Sequence, residues 1–232
     1  HVPRIYNSNL LLLLLALIVI TILGVSRYLT TLSVYLAPLA TAAMLIGILL
    51  ESRLALLVTA LLAMFIGIDT GSLPAAAVGL FTGTVGVLAV ARVTRRWDLV
   101  MASLLVWGTN IVSVLVFSLL GQDALDGILR DTLFFGGLNG LTAALVAIGA
   151  LPFLESFFGI TTHIKLLELS NPSEPVLHRL LTEAPGTYQH SIMVGNLAEA
   201  AAQSIGADAL LCRVGAYYHD IGKIRRPRFF VE

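Results

Sequence analysis

Residues 10–28 read LLLLLLALIVITILGVSRY, and up to Arg27 the run carries no charge. About 20 consecutive apolar residues are what an α-helix needs to cross the hydrocarbon of a bilayer. Five more apolar stretches follow at 32–50, 54–68, 73–91, 99–120 and 125–151, separated by short polar breaks at 51–53, 69–72, 92–98 and 122–126. In lipid such segments are expected to be helical, since a strand edge would leave backbone N–H and C=O groups unpaired. Core helices of a large soluble protein are the competing reading. It fails because six long apolar runs in succession would have no polar surface to cover them.

Composition agrees. Apolar residues make up 57% of the 232 positions and charged residues 12%, with a mean hydropathy of +0.91. Soluble domains carry roughly 25% charged residues because water must wet them. The net charge is zero, so nothing points to a nucleic-acid polymer as partner. The single cysteine, Cys212, excludes an internal disulfide and any cysteine-rich zinc cluster. The chain opens HVPRIYNSN, without an initiator Met or a signal-peptide layout, and stops at FFVE directly after a motif. It is expected to be an internal piece of a longer protein.

Orientation follows from the basic residues. Arg4, Arg53 and the cluster Arg92, Arg95 and Arg96 lie in alternate connections. The opposite connections carry Asp69, Asp123, Asp126 and Asp131, with Arg27 and Arg130 their only cations. The arginine-rich side is expected to be cytoplasmic. Six crossings then return residues 152–232 to the cytoplasm. Within the bundle, Gly79-x3-Gly83 and Gly136-x3-Gly140 are spacings that let helices approach closely. Asn110 and Asn139 are polar groups at membrane depth, expected to hydrogen-bond across helices, with a ligand or ion path as the alternative.

Three regions result: a transmembrane helical bundle over 1–151, a juxtamembrane helix and linker over 152–175, and a helical domain beginning at 176. Phe153, Phe157 and Phe158 could lie at the membrane interface. Asn171-Pro172 and Glu174-Pro175 break the helical pattern. A short helix is expected over 176–183 and a longer one over 188–205, with Thr187 as N-cap and Gly206 as stop. A third helix is expected over 209–223, capped by Asp208. The fold class is all-α throughout.

Two places in this region carry chemistry: His190 in GTYQHS, and His219-Asp220 in YYHDIGK. Alone, His190 would be an ordinary helix residue and His219-Asp220 an ordinary surface pair. Their spacing changes that reading. His190 lies about 16 residues before the turn at 206–208 and His219 about 11 after it. At 1.5 Å per residue an antiparallel hairpin brings both imidazoles to one end. Imidazole and carboxylate suit a divalent manganese, iron, zinc or magnesium ion. Neighbouring residues of a helix point about 100° apart, so Asp220 could share one metal with His219 or bridge to a second. Gly222 would let the helix end with its backbone near a ligand. Lys223 supplies a cation for a phosphate oxygen.

The segments FFGITTHIKLLELSNP, APGTYQHSIMVGNLAEAAA and GADALLCRVGAYYHDIGKIRRPRFFVE resemble the seven-transmembrane receptors with an intracellular HD hydrolase, within the HD superfamily of metal-dependent phosphohydrolases. The resemblance covers the membrane half in architecture and residues 152–232 closely. It implies that residues 176–232 begin an HD domain whose remaining ligands follow beyond residue 232, so this piece alone would be inactive. It implies His190, His219 and Asp220 as metal ligands, usually for two ions, with Asp220 and Lys223 catalytic and Lys223 on the phosphate. The implied reaction is hydrolysis of cyclic-di-AMP to linear pApA. One further membrane helix and an extracellular sensor domain would precede residue 1, and a homodimer is open. Signals would pass through residues 151–168. His163 and His178 match no family ligand and read as linker or surface residues. Rival readings are hydrolysis of cyclic-di-GMP or another nucleotide, a receptor with an inactive HD domain, and a transporter or channel.

Overall fold

In the computed structural model the described residues are 8–91, 93, 96–121 and 125–226. Arg4, Arg92, Arg95 and Asp123, used above for orientation, lie outside them. Every regular element among the described residues is helical, as expected for an all-α chain. Two compact units divide between Ile160 and Thr161.

In the first unit, α1 spans Asn9–Leu29, α2 Leu39–Leu49, α3 Ser52–Thr70, α4 Leu73–Val90 and α5 Arg96–Leu120. Helix α6 (Leu125–Leu129) continues through a π-helical stretch, Arg130–Gly136, into α7 (Gly137–Phe158). Five helical stretches among the described residues are long and apolar enough to cross a membrane: Asn9–Leu29, Ser52–Thr70, Leu73–Val90, Trp97–Leu120 and Gly127–Phe158. Their outward faces carry exposed Leu13, Ile20, Leu61, Phe65, Leu119 and Leu145. That surface is matched by lipid tails and would be costly in water.

The second apolar stretch departs from expectation. It does not form one spanning helix but a 3-10 turn, Val34–Leu36, followed by α2. Pro38 is the reason: Ala37, the residue before it, is pushed to an extended conformation with φ −62° and ψ 117°. The 11 residues of α2 extend only about 16 Å. Met44 and Ile46 are fully buried within it, so α2 is a core helix of the bundle. The interruption frees backbone carbonyls where no water would serve them. Asn139 Nδ2 donates to Tyr35 O at 2.7 Å and to Ala37 O at 3.2 Å, which answers the demand that membrane-depth backbone be satisfied internally. Asn110, fully buried, donates to Gly136 O at 2.8 Å, where the π stretch meets α7, and accepts from Thr82 Oγ1 at 3.4 Å. Both asparagines thus cross-link elements far apart in sequence.

The glycine spacings also act as contacts. A Cβ on Gly79 would lie 2.7 Å from Leu39 Cδ2, and one on Gly140 2.7 Å from Trp107 Cα. One on Gly83 would overlap Thr59.

The composition changes at residue 152, yet α7 runs through Pro152 and stops only at Gly159, whose φ is +61°. The structural break therefore falls eight residues later than the compositional one. Phe153 and Phe157 are exposed, while Phe158 is buried.

The second unit contains α8 (His163–Leu169), α9 (Pro175–Glu183), α10 (Pro185–Ser204), α11 (Ala209–Tyr218) and a 3-10 turn, Ile221–Arg225. Thr187 is not the N-cap expected. Pro185 takes the first helical position, where its missing N–H costs nothing and its fixed φ suits the helix. Thr187 is consequently buried inside the first turn. Gly206, with φ +69°, ends α10 as expected, and Asp208 Oδ1 caps α11 by accepting from Leu211 N at 3.0 Å. Helix α11 stops at Tyr218, five residues short of the expected end.

Candidate metal centre

Helices α10 and α11 form the antiparallel hairpin, and two contacts fix their register. Gly195 of α10 lies under the ring of Tyr217: an added Cβ would sit 2.8 Å from Tyr217 Cδ1. Glu199 accepts from Arg213 Nη1 on both carboxylate oxygens at 3.0 Å. These contacts bring His190 opposite His219, with ring centroids 5.5 Å apart. One ligand atom from each of His190, His219 and Asp220 lies within 4.8 Å of the others. Donor atoms that share an ion at about 2.1 Å are some 3–4 Å apart, so the set is close to that required. His163 and His178 are exposed and outside this group.

The early end of α11 is what admits Asp220. Had the helix continued, His219 and Asp220 would diverge by about 100°. Instead Asp220 adopts φ −112° and ψ 15°, and its Oδ2 turns back to 3.2 Å from His219 Nε2. Lys223 Nζ lies 2.8 Å from the same oxygen. Its hydrogen bond holds the Asp220 carboxyl below the usual carboxylate range. Lys223 therefore reaches Asp220 directly. Gly222 belongs to the following 3-10 turn, with open space around an added Cβ.

The tautomer of His219 follows from its neighbour. Its Nδ1 is 2.6 Å from Ala216 O, and a carbonyl can only accept, so Nδ1 carries a proton. A neutral imidazole then presents the Nε2 lone pair to a carboxylate oxygen 3.2 Å away. Two electron-pair donors in that relation need a proton or a cation between them. A backbone carbonyl that orients the non-ligating nitrogen is also the usual support of a metal-binding histidine. The donor set therefore fits a divalent metal.

Several supporting residues escaped the reading of the sequence. Tyr218 Oη donates to Leu169 O at 3.0 Å, joining α8 to the end of α11; burial, then the Glu174 carboxylate, push its phenol pKa up. A glycine in mid-helix (Gly195) and one acid and one base inside an apolar hairpin (Glu199, Arg213) were the available signals. Tyr218 gave none.

A family model described as "7TM receptor with intracellular HD hydrolase" matches residues 1–162, and one for the HD domain matches residues 187–232. The chain belongs to the family of 7TM receptors with an intracellular HD hydrolase. Among curated relatives, the cyclic-di-AMP phosphodiesterase PgpH of Bacillus subtilis (strain 168) is 42% identical over 206 residues, 85% of this chain and 29% of the relative. The protein of the same name from Listeria monocytogenes serotype 1/2a (strain 10403S) is 36% identical over 202 residues, 85% of this chain and 28% of that relative. An uncharacterised protein of Synechocystis sp. (strain ATCC 27184 / PCC 6803 / Kazusa) is 49% identical over 96 residues, 41% of this chain and 12% of its own length. The chain thus spans under a third of each phosphodiesterase it matches. No solved structure matches it. The division between the two compact units, at residues 160 and 161, falls close to the end of the first match at residue 162.

Proposed function

We propose that the whole protein is a membrane-bound, metal-dependent phosphodiesterase that hydrolyses cyclic-di-AMP to pApA. The observation that carries this reading is the gathering of His190, His219 and Asp220 donor atoms within 4.8 Å, in a segment that matches the HD domain. The names of the Bacillus and Listeria relatives supply the substrate.

In this reading the imidazoles of His190 and His219 and the carboxylate of Asp220 hold the first of two divalent ions, manganese or iron before zinc or magnesium, with Asp220 free to bridge. Such ions, when bound, acidify water and draw charge from phosphoryl oxygens. Ala216 O keeps Nε2 of His219 as the ligating nitrogen. Lys223 holds Asp220 ionised and offers its remaining N–H bonds to a substrate phosphate. In this reading the HD unit faces the cytoplasm, the side that the excess of arginine favours. An extracellular sensor domain of the same chain and a homodimer complete the proposed assembly.

The test is turnover by the purified full-length protein with manganese. Cyclic-di-AMP should yield pApA, and His190→Ala and Asp220→Asn should each lower kcat about a hundredfold or more, the scale for removing a group that stabilises phosphoryl charge. Preference for cyclic-di-GMP would overturn the substrate. Wild-type turnover unaffected by either substitution would overturn the site.

A further inference from the structure

Helix α8 ends at Leu169, and the carbonyls of a last helical turn have no partners within the helix. Tyr218 Oη supplies one, donating to Leu169 O at 3.0 Å. Tyr218 is the last residue of α11 and the chain neighbour of His219. Beneath this bond Leu166 of α8 packs with Leu210 and Val214 of α11, and Leu167, Leu169 and Tyr218 close around them. Thr162 caps the other end of α8, its Oγ1 accepting from Lys165 N at 3.3 Å. Only residues 159–162 separate α7 from α8. The first helix after the membrane unit is therefore fastened to the helix that delivers the ligands, and its upper fastening sits one residue from a ligand.

We propose that Tyr218 is a positioning residue: its bond to Leu169 fixes the end of α11 from which His219 and Asp220 depart, so that a shift of α8 alters the metal affinity of the centre. The inference rests on the metal-site reading above. Its physical basis is that α11 stops at Tyr218. Beyond that point His219, the C-cap, keeps helical dihedrals (φ −59°, ψ −31°) while Asp220 leaves the helix (φ −112°, ψ 15°), and their direction depends on the residue that anchors the helix end. Hydrophobic contact along Leu166, Leu210 and Val214 tolerates sliding, whereas a hydrogen bond at 3.0 Å is directional.

The experiment measures manganese affinity of the intact full-length protein, well below its melting midpoint, in wild type, Tyr218→Phe, Leu166→Ala, the double variant and His190→Ala. Phenylalanine keeps the ring contacts and removes only the donor. Tyr218→Phe should weaken manganese binding about fivefold, the scale of one hydrogen bond. Leu166→Ala, which loosens α8, should weaken it while Tyr218 is present and have no further effect in Tyr218→Phe. A purely structural role would lower the melting midpoint and leave manganese affinity unchanged. If Tyr218→Phe binds as wild type while His190→Ala does not, the positioning role is overturned and the metal site stands. If His190→Ala binds as wild type, the metal reading fails and the positioning role with it.

Discussion

Gly195 and Tyr217 meet at the crossing of the two ligand-bearing helices, so closely that no side chain fits between them: a Cβ at 195 would stand 2.8 Å from Tyr217 Cδ1. Tyr217 is itself buried and cannot swing into solvent freely. Gly195→Ala would gain up to about 1 kcal/mol of helix propensity but force the ring or the helix to move, at about 1–3 kcal/mol. The expected net is destabilisation of the HD unit, with weaker manganese binding because the hairpin register sets the His190–His219 spacing. Thermal melting of the intact protein with and without manganese checks both. A variant more stable than wild type would show that the contact yields more easily than the geometry indicates.

The second register contact is ionic. Glu199 and Arg213 are each about one-quarter exposed, 25% and 26%, and Arg213 Nε is buried with no hydrogen-bond partner. Removing one member leaves the other partly desolvated, whereas removing both leaves no charge behind. Glu199→Leu and Arg213→Met should therefore each cost about 1–2 kcal/mol, and the double variant clearly less than their sum. Melting midpoints of the four proteins complete the cycle. Strict additivity would mean the pair is solvated independently and does not brace the hairpin.

Much of this architecture was legible in the sequence because it depends on local chemistry. Uncharged runs announced the membrane helices, Gly206 and Asp208 announced the hairpin turn, and counting residues from that turn brought His190 and His219 to one end. The misreadings share another cause. At 32–50 the composition of a span was present, but Pro38 decided the backbone, and only the distant Asn139 makes its break tolerable. Thr187 lost the cap to Pro185 because a proline two residues earlier already starts the helix. The end of α11 is set by the local turn that returns Asp220 to His219 and Lys223, which helical periodicity does not express. Tyr218 is likewise defined by Leu169, 49 residues away.

That dependence on Asn139 can be measured. Asn139→Leu is close in volume but withdraws the amide from Tyr35 O and Ala37 O. Tyr35 O would then lose this donor and Ala37 O would be left with Leu39 N, which donates to it at 2.9 Å, at about 1–3 kcal/mol for a carbonyl left buried. The variant should unfold at a clearly lower temperature in detergent, while Leu141→Ala on the exposed face of the same helix should change little. Equal stability of Asn139→Leu and wild type would mean that other donors reach those carbonyls.

The relation of His219 to Asp220 yields the last expectation. With Nδ1 committed to Ala216 O, Nε2 and Asp220 Oδ2 face each other at 3.2 Å as two donors of electron pairs, and a divalent cation turns this opposition into attraction. Manganese at about a hundred times its Kd should stabilise the folded HD unit by about 2.7 kcal/mol. Chelation should reverse that gain and abolish turnover together. Asp220→Asn separates the two effects. The uncharged amide removes the opposition to Nε2, so the chelated variant should melt within a few degrees of the chelated wild type despite losing the Lys223 ion pair. Manganese, however, should no longer raise its melting temperature. A full manganese-induced rise in Asp220→Asn would place the bound ion elsewhere on the protein.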